Sequence, residues 1–179
     1  AARHRACRLC PAAARHHRRH PALGFPYPAG PSIQRCAEGY SGNTLIPFPV
    51  ARVESSPLNF SFSGLKTAVK YYLEKCSPEQ IEKETPRLCA SIQNAIIKSL
   101  CRTLYRAQQQ TGIETVAMVG GVACNTALRT RCREMFGEHF FTPPPRLCTD
   151  NAAMIAFAGF HRFKAGTARF PRMHPSAEL

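Results

Sequence analysis

The 179-residue chain has no tryptophan, and it carries only 11 Asp and Glu against 24 Lys and Arg. Acid is missing altogether before Glu38. Nowhere do apolar residues run for the roughly 18–20 positions that a membrane-spanning helix needs, so nothing here reads as a transmembrane segment. No apolar core of a secretory leader is legible either, which leaves the nine Cys without an oxidising context. Several of them, Cys89, Cys101 and Cys132, fall where helices are expected. They read as reduced thiols that pack as small hydrophobes.

What is present is positive charge, unevenly spread. Residues 1–37 hold seven Arg, and the other 142 residues hold 17 Lys and Arg against 11 acids, so +7 and +6 make up the formal +13. A very basic front on a moderately basic body suits a polyanion such as RNA, through phosphate neutralisation and counterion release.

Residues 1–22 offer no periodic apolar face. Three readings stay open for them: an Arg-rich leader, a basic arm, or sequence outside the mature protein. Cys7, Cys10, His16 and His20 have CxxC and HxxxH spacing, but only five residues separate the pairs. A folded finger needs about a dozen there, so zinc is not expected on this arm.

From Leu23 the composition is ordinary, and residues 23–179 read as one α/β domain of alternating elements. A turn-rich LGFPYPAGP leads to a short helix over Pro31–Glu38, closed by Gly39. Asn59 to Phe62 alternate as a strand, and Ser63 is expected to cap a helix from Gly64 to about Lys75. Ser77, Pro78 and Gln80 form a capping-box start. Leu88, Ile92, Ala95, Ile96, Leu100, Leu104 and Ala107 then share one face of a helix of about six turns, with Gly112 placed to stop it. Thr115–Val119 reads as a buried strand and Thr126–Met135 as a helix. Phe140 and Phe141 read as a second strand. Thr149 or Asp150 is expected to cap a last helix, whose run through Met154, Ile155 and Phe157 implies burial on most sides.

Chemistry concentrates at two turns. Gly120 and Gly121 lie between strand and helix, where backbone amides can approach a phosphate and the helix adds its positive end. Asn125, at that helix mouth, is either a cap or a contact to a nucleotide. Asp150 stands before an apolar helix, where a carboxylate either caps or binds a hard or borderline cation, and one carboxylate alone makes no metal site. Lys66, Lys70, Arg162, Lys164, Arg169 and Arg172 suit RNA phosphates or simply a solvated face.

Four segments in order, YPAGP (27–31), NFSFSGLKTAV (59–69), VGGVACN (119–125) and RLCTDNAAMIAFAG (146–159), resemble the TsaD family of tRNA N6-adenosine threonylcarbamoyltransferases. The resemblance covers residues 23–179, with Ala29 where that family's YPGGP turn has glycine. It implies the C-terminal half of a two-lobed, actin-like and Hsp70-like (ASKHA) α/β fold. It also implies transfer of a threonylcarbamoyl group from threonylcarbamoyl-AMP to N6 of adenosine 37, in tRNAs reading codons that begin with A. By resemblance Asp150 matches a ligand of one divalent ion, iron or zinc. Gly30 and Asn125 match substrate-binding positions, and Gly120 and Gly121 match the nucleotide phosphate loop. No catalytic residue is assigned. The family's HxxxH metal pair, a further glycine loop and an acidic residue before the YPGGP turn belong to a segment absent here.

The resemblance further implies tRNA and the companion proteins of the threonylcarbamoylation complex as partners, in the cytoplasm, or in the mitochondrial matrix if the Arg-rich front is a leader. An inactive fragment is expected for the chain alone. The alternative is a non-catalytic nucleotide-binding module, a degraded copy of the same fold. A sugar-kinase-like phosphotransferase is set aside, because FSFSGLKT and CTDN do not belong to it. Deleting residues 1–22 should shift the thermal midpoint by no more than about 1–2 °C, since no apolar face is lost; a differential scan of the two proteins checks this.

Overall fold

The computed structural model describes residues 23, 25, 28–50 and 58–167. The arm, Tyr27, Arg169 and Arg172 lie outside the described residues. The chain divides into two compact units, residues 1–106 and 107–179. Helices and a small parallel sheet make up the described residues, an α/β composition.

In the first unit, α1 (Ala29–Glu38) begins two residues before the expected start and ends at Gly39, whose N–H reaches Cys36 O at 3.2 Å. The helix α2 (Ser63–Glu74) corrects two expectations. Ser63 is its first helical residue and not its cap; Phe62 holds that position without a side-chain bond, and its carbonyl accepts from Lys66 N at 2.9 Å. Residues 59–62 form no strand. The reason for both is burial: Phe62 packs against the cluster of Leu65, Val69, Leu88, Ile92 and Ala95, so hydrophobic contact sets the start of α2 in place of a hydroxyl.

The capping box is as the spacing predicts. Ser77 N donates to Gln80 Oε1 at 2.9 Å, and Gln80 N donates to Ser77 Oγ at 3.3 Å. The helix that it opens, α3 (Pro78–Thr111), is a single element of 34 residues, longer than the six turns expected. Pro86 lies inside it without breaking it, although the ring removes one helical hydrogen bond. The adjacent Thr85 hydroxyl donates to Ile81 O at 2.6 Å.

Leu88, Ile92 and Ala95 are buried as expected, but the stripe then continues through Ser99 and Thr103 while Leu100 and Leu104 are only half-buried. Small hydroxyl residues keep the spacing of four that the helix repeats, so the face is real but less apolar than the leucines suggest. Ser91, 1% exposed, shows how such a residue is satisfied: it donates to Arg87 O at 2.6 Å and accepts from Ile46 N at 2.9 Å. On a neighbouring face Cys89 packs with Phe25 and Ala37 of the α1 region. Gly112, at φ 69°, follows α3 as expected and bonds Gln108 O at 2.9 Å.

The second unit is a β–α–β arrangement. Strands β1 (Val116–Ala117) and β2 (Phe140–Phe141) pair in parallel, Val116 with Phe140 and Ala117 with Phe141. Between them run a 3₁₀ turn at Gly121–Cys124 and helix α4 (Thr126–Phe136), which buries Leu128, Arg129, Cys132 and Phe136. The strand expected over Thr115–Val119 is thus shorter, and α4 ends one residue later than expected.

The last helix, α5 (Ala152–Lys164), overturns an expectation: none of its residues is buried, and Ile155, Phe157 and Phe163 are 64%, 68% and 69% exposed. An apolar sequence states what a helix needs, and no described element covers this one.

One contact in the first unit carries a pH dependence. The Tyr72 hydroxyl donates to the Glu84 carboxylate, and this bond, aided by burial, raises the phenol from 10.0 to about 12. A folded value above the unfolded one means that the contribution is whole below pH 10 and is lost as pH climbs through about 12. Urea titrations from about pH 9 to 12 should show the wild type losing its margin over Tyr72→Phe in that window. An unchanged difference between the two would count against the bond.

Candidate functional site

The glycine turn is built from backbone first. Gly120 adopts φ 87° and ψ 174°, a conformation closed to residues with a Cβ, and its carbonyl accepts from Ala123 N at 3.0 Å. Gly121 and Val122 open the 3₁₀ turn, where their N–H groups precede any intrahelical acceptor. A Cβ on either glycine would meet nothing within 4 Å, so open space faces this backbone. Val119 and Val122, 74% and 63% exposed, flank it with apolar surface. Donors, space and apolar flanks suit the approach of an anion joined to a flat or aliphatic group.

The turn is not continuous with the helix, although its sequence suggests so. Four residues of 3₁₀ structure intervene, and Asn125 stands at the mouth of α4, where its Oδ1 accepts from Leu128 N at 2.8 Å. Asn125 is therefore a cap in this structure, whatever else its side chain touches.

Asp150 has the opposite outcome. Neither it nor Thr149 caps α5; Asn151 does, accepting from Met154 N at 2.9 Å, while its Nδ2 donates to Thr149 O at 3.0 Å. An Asx side chain two residues from Thr149 O bridges both needs at once, and Asp has no N–H to do so. Asp150 is exposed, and among the described residues no hydrogen bond or ion pair engages its carboxylate. That leaves it open to a ligand. Among the described residues no group of three His, Cys, Asp or Glu side chains gathers around it or elsewhere, so Asp150 fits one position of a metal site and makes none alone.

The two turns are joined by a residue that the motifs do not single out. Arg129 is 7% exposed; its Nε donates to Ala123 O, and its Nη2 reaches Pro143 O at 2.7 Å and Cys148 Sγ at 3.0 Å. One guanidinium thus holds the end of the glycine turn, the proline turn and the start of the CTDN loop. A signal for it exists in the sequence: Arg129 lies on the stripe of Leu128, Cys132 and Phe136, where a cation must find internal acceptors.

Gly30 belongs to the other unit, second in α1, exposed and with nothing within 4 Å of a Cβ placed there. Lys66 and Lys70 are exposed on α2, where Lys70 pairs weakly with Glu74 at 3.7 Å. A surface depression lined by Gln108, Gln109, Gly112, Glu114 and His139 contains none of the expected site residues.

A model of the TsaD family, tRNA N6-adenosine threonylcarbamoyltransferase, matches residues 12–157. The chain belongs to this family. It is 45% identical over 147 residues to the tRNA N6-adenosine threonylcarbamoyltransferase of Cytophaga hutchinsonii, covering 79% of this chain and 42% of that protein. With those of Anaeromyxobacter sp. strain Fw109-5 and Bacillus subtilis it shares 46% over 149 residues and 43% over 148, covering 80% of this chain and 44% and 42% of theirs. The chain therefore spans less than half the length of these TsaD relatives. The family match starts at residue 12, inside the basic front, and takes in Gly30, Gly120, Gly121, Asn125 and Asp150. No helix of the described residues is long and apolar enough to cross a membrane.

The caps and the open carboxylate are separable by stability alone. Asn151→Ala should cost about 1 kcal/mol, whereas Asp150→Asn and Asp150→Ala should each stay within about 0.5 kcal/mol of wild type. Urea unfolding of the three variants reads this, and a loss at Asp150 equal to that at Asn151 would return the capping role to Asp150.

Proposed function

We propose that this chain is the C-terminal half of a tRNA-modifying acyltransferase with the two-lobed ASKHA fold. In this reading it transfers the threonylcarbamoyl group of threonylcarbamoyl-AMP to N6 of adenosine 37, in tRNAs that read codons beginning with A. The observation that carries the reading is family membership over residues 12–157, with the glycine turn and the open Asp150 carboxylate inside the matched span. The reaction forms a bond from N6 to the carbamoyl carbon, breaks the bond from that carbon to the phosphate oxygen, releases AMP and sheds one N6 proton. An anticodon-loop adenine is single-stranded, so its N6 reaches a cleft without opening a duplex.

The family resemblance suggests the roles, and the geometry is compatible with them. The N–H groups of Gly121 and Val122, which have no acceptor among the described residues, suit the AMP phosphate. Asn125, whose side chain is fixed by its bond to Leu128 N, and Gly30 each match a substrate-binding position of the family. Arg129 positions the glycine turn and the CTDN loop relative to each other and does not touch substrate. Asp150 supplies one oxygen ligand for a divalent ion, iron or zinc, whose other ligands come from the length of the relatives that this chain does not span. Such an ion, when bound, polarises the carbamoyl carbonyl.

The exposed apolar helix α5 supports the half-protein reading, because five large apolar residues, Met154, Ile155, Phe157, Phe160 and Phe163, are left in water. Companion proteins of the threonylcarbamoylation complex complete the assembly.

Fusing the chain to the part of the Bacillus subtilis relative that it does not align with tests the reading. With threonylcarbamoyl-AMP and unmodified tRNA, the fusion should form the modified nucleoside and the chain alone should not. Asp150→Asn in the fusion should lower the rate on the order of 100-fold or more, with loss of metal. A folded, tRNA-binding fusion without transfer would favour a non-catalytic copy, and transfer by the chain alone would overturn the half-protein reading.

A further inference from the structure

Met154, Ile155, Phe157, Phe160 and Phe163 stand close together on α5, and each is at least 44% exposed. The 3.6-residue repeat sorts them by direction. Ala153, Phe157, Phe160 and Lys164 fall on one stripe, with Met154 and Phe163 at its two margins, while Ile155 and Arg162 lie on the opposite side. The contacts along α5 agree with this sorting, since Lys164 Nζ lies 5.5 Å over the Phe160 ring and the Phe157 ring meets His161 at 4.5 Å. Steps of four, three and four residues are the spacing by which one helix seats against another. They also read the same from either end.

Area and charge both point to a second copy. Met154, Phe157, Phe160 and Phe163 present on the order of 100–150 Å² each, so two stripes laid together remove about 1,000 Å² from water, the low end of specific interfaces. The charges of α5 are arranged end to end: His161, Arg162 and Lys164 occupy its last turn, and the exposed Asp150 carboxylate precedes its first residue. A parallel pair sets three basic side chains against three. An antiparallel pair separates them by about 20 Å, the length of the helix and more than twice the screening length of about 8 Å. It also brings each Asp150 to the level of Lys164 of the second copy. A two-fold axis requires such self-complementarity, and the palindromic stripe meets it with Phe157 of each copy against Phe160 of the other.

We propose that α5 is a self-association surface, on which a second copy of this chain pairs antiparallel along the Ala153–Phe157–Phe160–Lys164 stripe. The apolar rings supply the affinity, and the acidic start and basic end of α5 fix the direction. The inference concerns the chain by itself and does not rest on the transferase reading, which the activity of the fusion decides separately.

The test is sedimentation equilibrium of the full chain in reducing buffer, so that no disulfide contributes to the mass. The mass should climb from one chain to two with a midpoint of roughly 10–100 µM. Phe157→Glu should weaken the pairing at least about 10-fold, and Ile155→Gln, on the opposite side, should leave it unchanged. Asp150→Lys and Lys164→Glu should each weaken it roughly 3-fold, and the double variant should recover wild-type pairing, the signature of the antiparallel direction. Both charged positions are exposed, so the exchange reads the pairing even where Phe157→Glu loses helix by circular dichroism. A single-chain mass throughout the range would overturn the proposal, whether the chain instead floats with phosphatidylserine vesicles or dimerises only once residues 168–179 are removed. An equal loss in Ile155→Gln, or a double charge variant weaker than either single one, would overturn it as well.

Discussion

A buried guanidinium organises the second unit. Taking a charge out of water costs several kcal/mol, and among the described residues no carboxylate offsets it for Arg129. Its compensation comes from the carbonyls of Ala123 and Pro143, charge-assisted bonds each in the range of about 1.5–3 kcal/mol, and from the Cys148 sulfur, a weaker acceptor. These acceptors lie on three separate stretches of chain, so the cation is satisfied only when all three turns are in place. The need of one side chain thereby becomes a constraint on the path of the backbone. Prolines at 143–145 help, since their fixed φ limits where the accepting carbonyls can point.

The two turns so held carry the groups with chemical potential. Gly120 supplies a backbone geometry open to a ligand, and Asp150 supplies a carboxylate relieved of capping because Asn151 performs that task. The rigid part is thus Arg129 and its acceptors, and the reactive part projects from it. Helix α5 departs from this junction with its apolar residues in water. A helix of 13 residues is marginal on its own, and here it has Asn151 at its start and His161, Arg162 and Lys164 in its last turn, which complement its dipole.

Much of the first unit was legible because its signals are local. The Ser77–Gln80 box, the Gly39 stop and the Leu88–Ile92–Ala95 face involve partners within four residues or a repeat that one helix imposes on itself. The errors have a common origin in packing. Phe62 displaced Ser63 as the cap of α2 because its ring joins the Leu65 cluster, and Ser99 with Thr103 took buried places expected for leucines. Within the site, the glycine pair was legible as a strand-to-helix turn from its residue types. The choice between Asp150 and Asn151 as cap was not, since both are good capping residues and adjacent positions differ only in where the chain turns.

By itself the sequence determined the β–α–β alternation of residues 116–141, the family and the order of its motifs. Each of these depends on residue types at fixed short spacings, and such spacings survive whatever the rest of the chain does. Tertiary structure alone decided that Arg129 is buried and that Asp150 is left open. The deciding contacts join Arg129 to residues 14 and 19 positions away, and no local pattern encodes which distant carbonyl or sulfur a side chain will find. The apolar run of α5 shows the same limit from the other side: the residues state that a helix should be covered, and only its neighbours in space determine whether it is.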